Sequence, residues 1–287
     1  MGTNGLFGKK KTWLLIDVSC LAYRSFYGMR RLSHDDIPTT IVYSLLRDVL
    51  ALQDRYDTHD IAFCFDGGYE HRTAICPEYK QNRKHDVLDA EMEANRKELL
   101  VQIKALRETY LTQVGWKNVF YQPGYEADDI LAWIVKNGNS LDEHIIVSSD
   151  QDLWQLLSPN CLIHNPMTGK PLTAEKVLKD HFIDPVHWWK VKAIAGCTSD
   201  NIQGIQGVGE VFAVKFLTGK LPPDSSRYKK IKDGVSIIRR NKLLTKLPMA
   251  GCGPFELVDC MIDYRQWNKL LYDLGIHSLP KPKRTKG

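Results

Sequence analysis

The sequence predicts an α/β protein in which helices cover both faces of a mainly parallel sheet. Short apolar stretches rich in β-forming residues each end at an aspartate, and amphipathic helical patterns separate these stretches along the chain. Strands that alternate with helices form parallel sheets with both faces covered. The 287 residues suffice for one large domain or for a main domain with a smaller appendage.

The predicted strands span residues 12–18, 60–65 and 145–149. Each strand is short and apolar throughout, which is typical of a strand buried on both faces. Ligands of such sheets lie beyond the carboxyl ends of the strands, and Asp17, Asp66 and Asp150 are expected to emerge there. The strands therefore predict three carboxylates at one edge of the sheet.

The predicted helices show apolar residues at spacings of three and four, and they span residues 39–56, 95–114 and 125–136. The polar residues 76–93 predict a long connection or a partly helical excursion. After Pro185 the pattern is mainly helical, with helices over 188–195 and 211–217 on either side of a glycine turn. We therefore divide the chain into a core, residues 1–184, and a helical region, residues 185–287, packed as one body.

The composition is that of an ordinary globular protein, with 43% hydrophobic and 25% charged residues. No apolar run approaches the roughly 18 residues that a membrane span needs. The seven cysteines are scattered, odd in number and without a C-x-x-C pair, which favours reduced thiols over disulfides or zinc. We expect a cytoplasmic protein with no membrane partner.

The net charge of +5 permits a polyanionic partner without requiring one. The basic residues are concentrated toward the C-terminus: residues 227–246 hold eight of them against the single acid Asp233. A solvated helix face is the alternative explanation of such a stretch. The charge distribution thus allows a nucleic-acid-binding surface in the helical region.

The strongest local motif is Gly124-Tyr125-Glu126-Ala127-Asp128-Asp129 at the start of a predicted helix. Helix N-termini favour acids, and this explains one or two of the three. Because Glu126 and Asp129 are three residues apart, they can share a helix face and meet the same ion. A second motif, residues 148–153, joins a strand end to a helix, where N-capping is again the alternative role for Asp150.

Together the predicted strand ends and turns carry eight acids: Asp17, Asp66, Glu126, Asp128, Asp129, Asp150, Asp152 and Asp200. Mutual repulsion would make this density unstable without cations. Oxygen ligands without histidine or cysteine favour Mg²⁺ or Mn²⁺ over Zn²⁺, and Mg²⁺ commonly completes its shell with substrate phosphate. The acids therefore predict phosphodiester chemistry with two ions and no side-chain nucleophile.

Three glycines, Gly204, Gly207 and Gly209, lie between two predicted helices. Glycine lets the backbone approach a phosphate closely, and the helix that follows offers its N-terminus to an anion. A helix connection that needs positive φ would look similar. The position of the turn, after Asp200 and before the basic stretch, favours the phosphate-binding interpretation.

These motifs, taken in order, resemble the flap endonuclease family. The matching residues are Ile16-Asp17, Phe65-Asp66, Tyr79-Lys80 with Arg83, Gly124-x-Glu126-Ala127-Asp128-Asp129, Asp150-x-Asp152 and Ser199-Asp200-Asn201-Ile202 with Gly207-Val208-Gly209. The likeness covers roughly residues 13–217 and is closest to the bacteriophage and bacterial 5′ to 3′ exonucleases, including the 5′ nuclease domain of bacterial DNA polymerase I. It implies a PIN-like core, a helical arch near residues 77–94 and a helix-three-turn-helix near residues 188–217.

The resemblance also implies roles for individual residues. Asp17, Asp66, Glu126, Asp128 and Asp129 would hold the first ion, with Asp17 and Asp129 essential for catalysis, and Asp150, Asp152 and Asp200 would hold the second. Lys80 and Arg83 would contact the scissile phosphate, unless they lie on a solvated loop, and Tyr79 would stack on a base. Duplex DNA would be held by Gly204, Gly207, Gly209 and Lys215, with room for a K⁺ ion at the glycine turn.

The expected activity is a divalent-metal-dependent 5′ to 3′ exonuclease and 5′-flap endonuclease, a monomer that acts in replication or repair on DNA with 5′ flaps or 5′ ends and on RNA–DNA primers. One departure from the family pattern matters: Cys197 stands where a carboxylate is usual. Because a thiol is a poor Mg²⁺ ligand, the second ion should bind more weakly. A smaller difference is Gln203, where a proline is common.

Two other functions stay open on the sequence alone. A PIN-type ribonuclease also places acids at the ends of parallel strands, although such domains are commonly shorter and lack the glycine turn. A branched-DNA-binding protein with weakened catalysis is the other alternative, and Cys197 motivates it.

Overall fold

The computed structural model describes residues 10–84 and 90–282, and the side chains of residues 10–82 and 93–282. The strands are β1 Thr12–Asp17, β2 Ser33–His34, β3 Ile37–Pro38, β4 Ile61–Phe65, β5 Val119–Tyr121, β6 Glu143–Val147, β7 Cys161–Asn165, β8 Lys170–Leu172, β9 Gly196–Cys197 and β10 Ile202–Gln203.

The helices are α1 Val18–Gly28, α2 Thr40–Tyr56, α3 Glu70–Ile75, α4 Ala90–Ala105, α5 Leu111–Gln113, α6 Ala127–Asn137, α7 Ala174–His181, α8 Trp188–Ala195, α9 Glu210–Leu217, α10 Ser226–Asp233, α11 Val235–Thr245 and α12 Tyr264–Asp273. Short 3₁₀ turns occur at Gln81–Lys84, Asp152–Leu156 and Pro185–His187, and a π-helical turn, Leu106–Tyr110, joins α4 to α5.

The central sheet has the strand order β5-β4-β1-β6-β7-β8. Every neighbouring pair is parallel except β7 with β8. The first strand is central, with Leu14 opposite Ile61 on one side and Ile145 on the other. The predicted parallel α/β sheet is therefore confirmed.

Alternate residues of β1 belong to two separate hydrophobic cores, one on each face of the sheet. Leu14 and Ile16 pack with α1, α2 and α12 on one face, whereas Trp13 and Leu15 pack with α6 on the other. Because successive side chains of a strand point to opposite faces, a strand covered on both sides must be apolar throughout. This is why the stretch reads as a continuous apolar run rather than an alternating one.

The predicted elements are close to those observed. The strands predicted at 12–18, 60–65 and 145–149 correspond to β1, β4 and β6, and the helix predicted at 188–195 is α8. Three sheet strands, β5, β7 and β8, were not predicted. Strands β5 and β8 have three residues each, too few to distinguish from a loop, and β7 ends in the polar residues His164 and Asn165, which shorten its apolar run.

The C-terminal part of the chain returns to the α/β core instead of staying with the helical region. Trp267 of α12 packs edge-on against Trp116 with ring centroids 6.0 Å apart, inside the same cluster as α1 and α2. Before that, Phe255 packs on Trp133 of α6. The division near residue 185 therefore describes the helical region only as far as α11.

The helical region has its own core, in which Trp188 and Val191 of α8 pack against Ile205 and Val208 of the glycine turn and against Ala213 of α9. The predicted arch near residues 77–94 includes residues 85–89, which lie outside the described part of the chain. Among the described helices, none combines the length and apolar character that crossing a membrane requires.

Candidate active site

The carboxyl ends of β4, β1 and β6, three adjacent strands, open into a cavity of about 740 Å³. Seven of the eight acids predicted from the sequence line it: Asp17, Asp66, Glu126, Asp128, Asp150, Asp152 and Asp200. Two thiols, Cys20 and Cys197, and two lysines, Lys80 and Lys192, also line the cavity. We call Asp17, Asp66, Asp128, Asp150, Asp152 and Asp200 the acid cluster.

Asp17 joins the last position of β1 to the start of α1. Its side chain accepts hydrogen bonds from the backbone N–H of Cys20 at 3.0 Å and from the hydroxyl of Ser148 at 2.8 Å. Burial, followed by the negative charge of Asp66, raises the pKa of Asp17 to about 7. The carboxylate is thus held firmly at the bottom of the cavity, where its charge is costly without a cation.

The start of α6 is tied to the end of β4. The backbone N–H of Ala127 donates to Asp66 at 2.8 Å, and this bond fixes the first turn of α6 over the cavity. Asp128 in that turn lines the cavity. Burial, followed by repulsion from Asp150, raises its pKa well above the usual aspartate value.

The chain beyond β6 turns sharply, because Asp150 accepts a hydrogen bond from the backbone N–H of Asp152 at 2.7 Å. Asp150 is not the N-cap of the 3₁₀ turn Asp152–Leu156, since Gln151 holds that position, so the N-capping alternative is not realised. Burial, followed by the charge of Asp150, raises the pKa of Asp152 to about 7. Lys192 lies 3.9 Å from Asp152 and 2.8 Å from Glu210, so it offsets part of this negative charge.

Cys197 completes a compact group with Asp152 and Asp200. One ligand atom from each residue lies within 4.8 Å of the other two, a spacing at which all three could hold one metal ion. The sulfur lies 3.6 Å from an Asp200 carboxylate oxygen and 3.1 Å from the Ser199 hydroxyl. Burial, and then Asp200, raises the pKa of the Cys197 thiol.

Asp129 does not reach the cavity. Its fully buried carboxylate forms two hydrogen bonds with the Arg72 guanidinium, at 2.5 and 2.9 Å, and accepts a third from the backbone N–H of Met249 at 2.8 Å. The structure therefore does not bring Asp129 into the cavity with the other acids, and its metal-binding and catalytic roles stay predictions. Asp129 also accepts a hydrogen bond from the backbone N–H of Glu126 at 3.3 Å, which adds to the contacts that hold its carboxylate away from the cavity.

Glu126 stands between the buried pair and the cavity. Its carboxylate accepts from the Tyr79 hydroxyl at 2.7 Å, forms an ion pair with Lys80 and lies 3.2 Å from Arg72. Burial opposes its ionisation, but Lys80 and then Arg72 hold the pKa of Glu126 below its usual value. We call Arg72, Tyr79, Lys80, Glu126 and Asp129 the Arg72 network.

Tyr79 and Lys80 differ in how they lie relative to the roles that the resemblance implied. The Tyr79 ring is 97% buried, beside Tyr69 at 5.7 Å between centroids, so it offers no face on which a base could stack. Lys80 lines the cavity, and its ammonium bridges Glu126 and Asp200, the latter at 3.6 Å. The side chain of Arg83 lies outside the described residues.

Sequence reasoning missed Arg72, Lys192 and Cys20. Arg72 lies in the short helix α3 and reaches a partner 57 positions along the chain, a pairing that no local spacing signals. Lys192 is one of two lysines in the otherwise apolar helix α8, and unlike Lys190 it is buried, which the sequence does not signal. Cys20 follows Asp17 by one helical turn, which puts its thiol beside the cavity.

The three glycines of the turn, Gly204, Gly207 and Gly209, have different structural roles. A Cβ at Gly204 would lie 2.1 Å from the Ala195 carbonyl, so this glycine allows the turn to press against the end of α8. Gly207 has a φ of +79° and is exposed, and Gly209 precedes α9 with open space around it. Only Gly207 and Gly209 therefore present backbone to an approaching phosphate.

Two cationic side chains lie at the carbonyl oxygens of this turn. Arg227 donates to the carbonyl of Gly207 at 3.2 Å, and Lys230 donates to that of Gln206 at 3.5 Å. Both come from α10, at the start of an exposed basic surface that we define as Arg227, Lys229, Lys230, Lys232, Arg239, Lys242 and Lys246. The side chains of Lys242 and Lys246 also lie over the ring of Trp189, at 6.0 and 5.5 Å.

The donor chemistry of the cavity fits divalent cations. Burial and mutual repulsion raise the pKa values of Asp17, Asp128, Asp150 and Asp152, which means that these carboxylates lack enough neighbouring positive charge. Oxygen donors at this density suit Mg²⁺ or Mn²⁺. Asp129 needs no such ion, because the Arg72 guanidinium already pairs with its carboxylate.

Comparison with known proteins shows the family of this chain. A family model described as the 5′-3′ exonuclease N-terminal resolvase-like domain matches residues 12–182. A 5′-3′ exonuclease of Aquifex aeolicus is 31% identical over 210 residues, 72% of this chain and 69% of that protein. One from Buchnera aphidicola is 30% identical over 82% of this chain and 79% of its own length. The thermostable DNA polymerase I of Thermus thermophilus is 25% identical, and this chain spans about a third (35%) of it.

Solved structures share the fold. The bacteriophage T5 D15 flap endonuclease, in a complex with DNA and metal ions, has a TM-score of 0.71 at 22% identity and covers 83% of this chain and 90% of its own. The catalytic core of Rad2 in complex with a DNA substrate has a TM-score of 0.53 at 15% identity and covers 93% and 89%.

Proposed function

The chain belongs to the 5′-3′ exonuclease family and is a nuclease, and from this premise we propose that it hydrolyses DNA at 5′ ends and at 5′-flap junctions with two divalent ions, Mg²⁺ or Mn²⁺. The observation that carries the proposal is the convergence of the acid cluster on one open cavity at the carboxyl edge of the sheet. Replication and repair are the settings in which such cleavage is needed.

The positions of the acids in the cavity divide them into two sets of metal ligands, one for each proposed ion. Asp17, Asp66 and Asp128 surround the ends of β1 and β4 and would hold the first ion with Glu126. Asp150, Asp152 and Asp200 would hold the second. When bound, such a pair of ions lowers the pKa of an attacking water and stabilises the leaving oxygen. Asp129 is left out of both sets, because its carboxylate is committed to Arg72.

Lys80 is proposed to serve the scissile phosphate, as the resemblance implied. Its ammonium now bridges Glu126 and Asp200, one from each ligand set. Ligation of those carboxylates would draw their charge away from Lys80, and the ammonium could then turn to a phosphate in the cavity. A cation there stabilises the negative charge that develops during phosphoryl transfer.

The basic surface and the glycine turn are proposed to hold the duplex. Exposed Gly207 and Gly209 bring the backbone close to a phosphate, and Lys215 of α9 projects from the adjacent helix. The seven cations of the basic surface continue from this turn along α10 and α11. Because phosphate contacts release counterions, affinity should fall steeply with salt concentration.

We propose that K⁺ is not needed at the glycine turn, contrary to the sequence prediction. Arg227 and Lys230 already donate to the carbonyls of Gly207 and Gln206, so protein cations occupy the acceptors that an ion would use. DNA affinity should be equal in K⁺ and in Na⁺ at matched ionic strength. Clearly higher DNA affinity in K⁺ than in Na⁺ would show that a K⁺ ion is needed at the glycine turn.

Cleavage of a 5′-flap duplex tests the function. The flap strand is labelled and incubated with Mg²⁺ or with EDTA, beside a matched single strand. Asp128→Asn should slow metal-dependent cleavage by at least about 100-fold, since metal ions contribute several kcal/mol to such reactions. Its DNA affinity, measured without divalent ions, should stay within about threefold of the wild type, because no cation contact is lost.

Asp180→Asn is the matched control, because Asp180 is an exposed aspartate on α7, outside the cavity. Cutting at the junction would establish the flap endonuclease activity, and release of mononucleotides the exonuclease activity. Tight binding without cleavage would favour the weakened DNA-binding protein that Cys197 suggests, and preference for RNA would favour a ribonuclease. Action on RNA–DNA primers, the monomeric state and the cytoplasmic location stay predictions.

A further inference from the structure

We propose that Cys197 makes the second ion position selective for a thiophilic divalent cation, of which Zn²⁺ is the natural example, over Mg²⁺. The inference rests on the proposed two-ion site, because it concerns the position that Asp152 and Asp200 share. It goes beyond that function in assigning a mixed oxygen and sulfur donor set to this chain.

The backbone fixes Cys197 at this position. It lies in β9, paired with Ile202 of β10 in a two-stranded hairpin. The preceding residue, Gly196, has a φ of +81°, and a Cβ there would lie 2.4 Å from the Ile202 carbonyl and the Gly204 nitrogen. A side chain at residue 196 is therefore excluded, and the hairpin holds Cys197 beside the acids, with its sulfur near Ser199 and Asp200.

The donor atoms of Asp152, Cys197 and Asp200 are near enough to one another to bind one ion. Sulfur and oxygen ligands of the same Zn²⁺ lie about 2.3 and 2.0 Å from the metal, so they are roughly 3.5 Å apart in tetrahedral geometry. The sulfur of Cys197 is already 3.6 Å from an Asp200 oxygen, and the Asp152 ligand atom lies within 4.8 Å of both. Small side-chain rotations are enough to bring all three onto one cation.

The same donors disfavour Mg²⁺. A thiol in place of a carboxylate removes a hard oxygen ligand and its charge, while Lys192, 3.9 Å from Asp152, adds positive charge nearby. Soft thiolate ligands favour Zn²⁺ and its relatives instead. Binding of such an ion releases the thiol proton to solvent and forms a metal–sulfur bond. The thiolate then supplies the negative charge that the neutral thiol does not offer to Mg²⁺.

Titration with Cd²⁺ or Co²⁺ tests the inference without relying on turnover. A bound thiolate gives a sulfur-to-metal charge-transfer band in the ultraviolet, which oxygen ligands do not give. We expect this band in the wild type and its loss in Cys197→Ser, with Cd²⁺ affinity at least about tenfold weaker. Cys197→Asp should also lose the band and should bind Mg²⁺ more tightly, as measured by calorimetry.

Cys20→Ser is the matched control, because Cys20 lines the same cavity but is hydrogen-bonded to Ser149 and lies outside the donor group. It should keep the band. Persistence of the band in Cys197→Ser, its loss in Cys20→Ser or its absence from the wild type would each overturn the inference. Flap cleavage in Mg²⁺ is measured in parallel: cleavage without the band rejects only this inference, whereas the band without cleavage by any metal rejects only the proposed function.

Discussion

Asp128 and Asp129 are neighbours in the first turn of α6, yet they belong to two regions with opposite electrostatics. Asp128 stands in the acid cluster, where burial and other carboxylates raise its pKa. Asp129 stands in the Arg72 network, where a guanidinium holds both of its oxygens. The difference teaches that a high density of acids does not by itself define a metal site, because protein cations can neutralise some of those acids and leave others with too little positive charge.

Glu126 lies at the boundary of the two regions. It lines the cavity with the acid cluster, but Lys80 and Arg72 keep its pKa low. The Arg72 network also spans the chain, since Arg72 donates to the Leu244 carbonyl at the end of α11. The network therefore locks the helical region to the core beside the cavity, while the cluster is left open to ions and substrate.

Arg72→Met should have the largest effect. It leaves Asp129 buried and unpaired, and removal of one partner of a buried ion pair costs about 3–5 kcal/mol. We expect the free energy of unfolding, measured by urea denaturation, to fall by that amount. Arg72→Met combined with Asp129→Leu should recover part of the loss, because no buried charge is then left without a partner.

Arg265→Met is the control for that experiment, since Arg265 is exposed on α12 and a surface change of this kind is usually within about 0.5 kcal/mol. A loss below about 1 kcal/mol in Arg72→Met would remove the distinction between the two regions. It would mean that Asp129 can be solvated or can turn toward the cavity, as the sequence first suggested.

Much of the acid cluster could be predicted from the sequence because its logic is local. An apolar strand that ends in an acid, as at Asp17 and Asp66, places that acid at the carboxyl edge of a parallel sheet. The exact order of the strands did not have to be known for this prediction. Any parallel sheet in which these strands are neighbours brings their terminal acids together. The sheet strands and the long helices were also predictable from local patterns, namely the apolar runs of the strands and the spacings of three and four between apolar residues of the helices.

The burial of Asp129 could not be predicted because its cause is distant. The apolar stripe of α6, with Ile130 and Ile134, faces the sheet and leaves Asp129 on the other side. Trp133 and Lys136 follow at spacings of four and three, so they share that second face. It is covered by the segment after α11, where Met249 donates to Asp129 and Lys136 donates to the Leu247 carbonyl. Local periodicity carries no information about this cover.

Mg²⁺ should stabilise the protein by a few kcal/mol more at pH 8 than at pH 5.5. The pKa values of Asp17 and Asp152 are raised to about 7 in the folded chain, so the folded state keeps protons that the unfolded state has released. Their contribution to stability is complete below pH 4 and is lost as the pH rises through 7. Bound ions replace those protons and remove the loss.

Thermal unfolding with and without Mg²⁺ at the two pH values gives this difference directly. Buried His144 and His164, whose pKa values are lowered, act in the opposite direction over the same range, but they cancel between the two metal conditions. Asp17→Asn should reduce the metal-free pH dependence and leave the part due to Asp152. Equal stabilisation by Mg²⁺ at both pH values would show that the cluster is not short of positive charge.

Tyr79→Phe should have the smallest effect, a loss of about 1 kcal/mol in the free energy of unfolding. The hydroxyl gives Glu126 one hydrogen bond at 2.7 Å, and Glu126 keeps its contacts with Lys80 and Arg72 when that bond is removed. Affinity for a 5′-flap duplex, measured by anisotropy without divalent ions, should be unchanged.

Tyr79→Leu decides whether the ring belongs to the Arg72 network or to the DNA path. In the network, the ring packs beside Tyr69 and near Arg72, so its loss leaves a cavity and costs stability while DNA affinity is kept. On the DNA path, the ring would stack on a base, so Phe would keep the affinity and Leu would lose it by about 1–3 kcal/mol. A Leu variant that is stable but binds DNA weakly would therefore move Tyr79 out of the network and require the residues around Glu126 to open when substrate arrives.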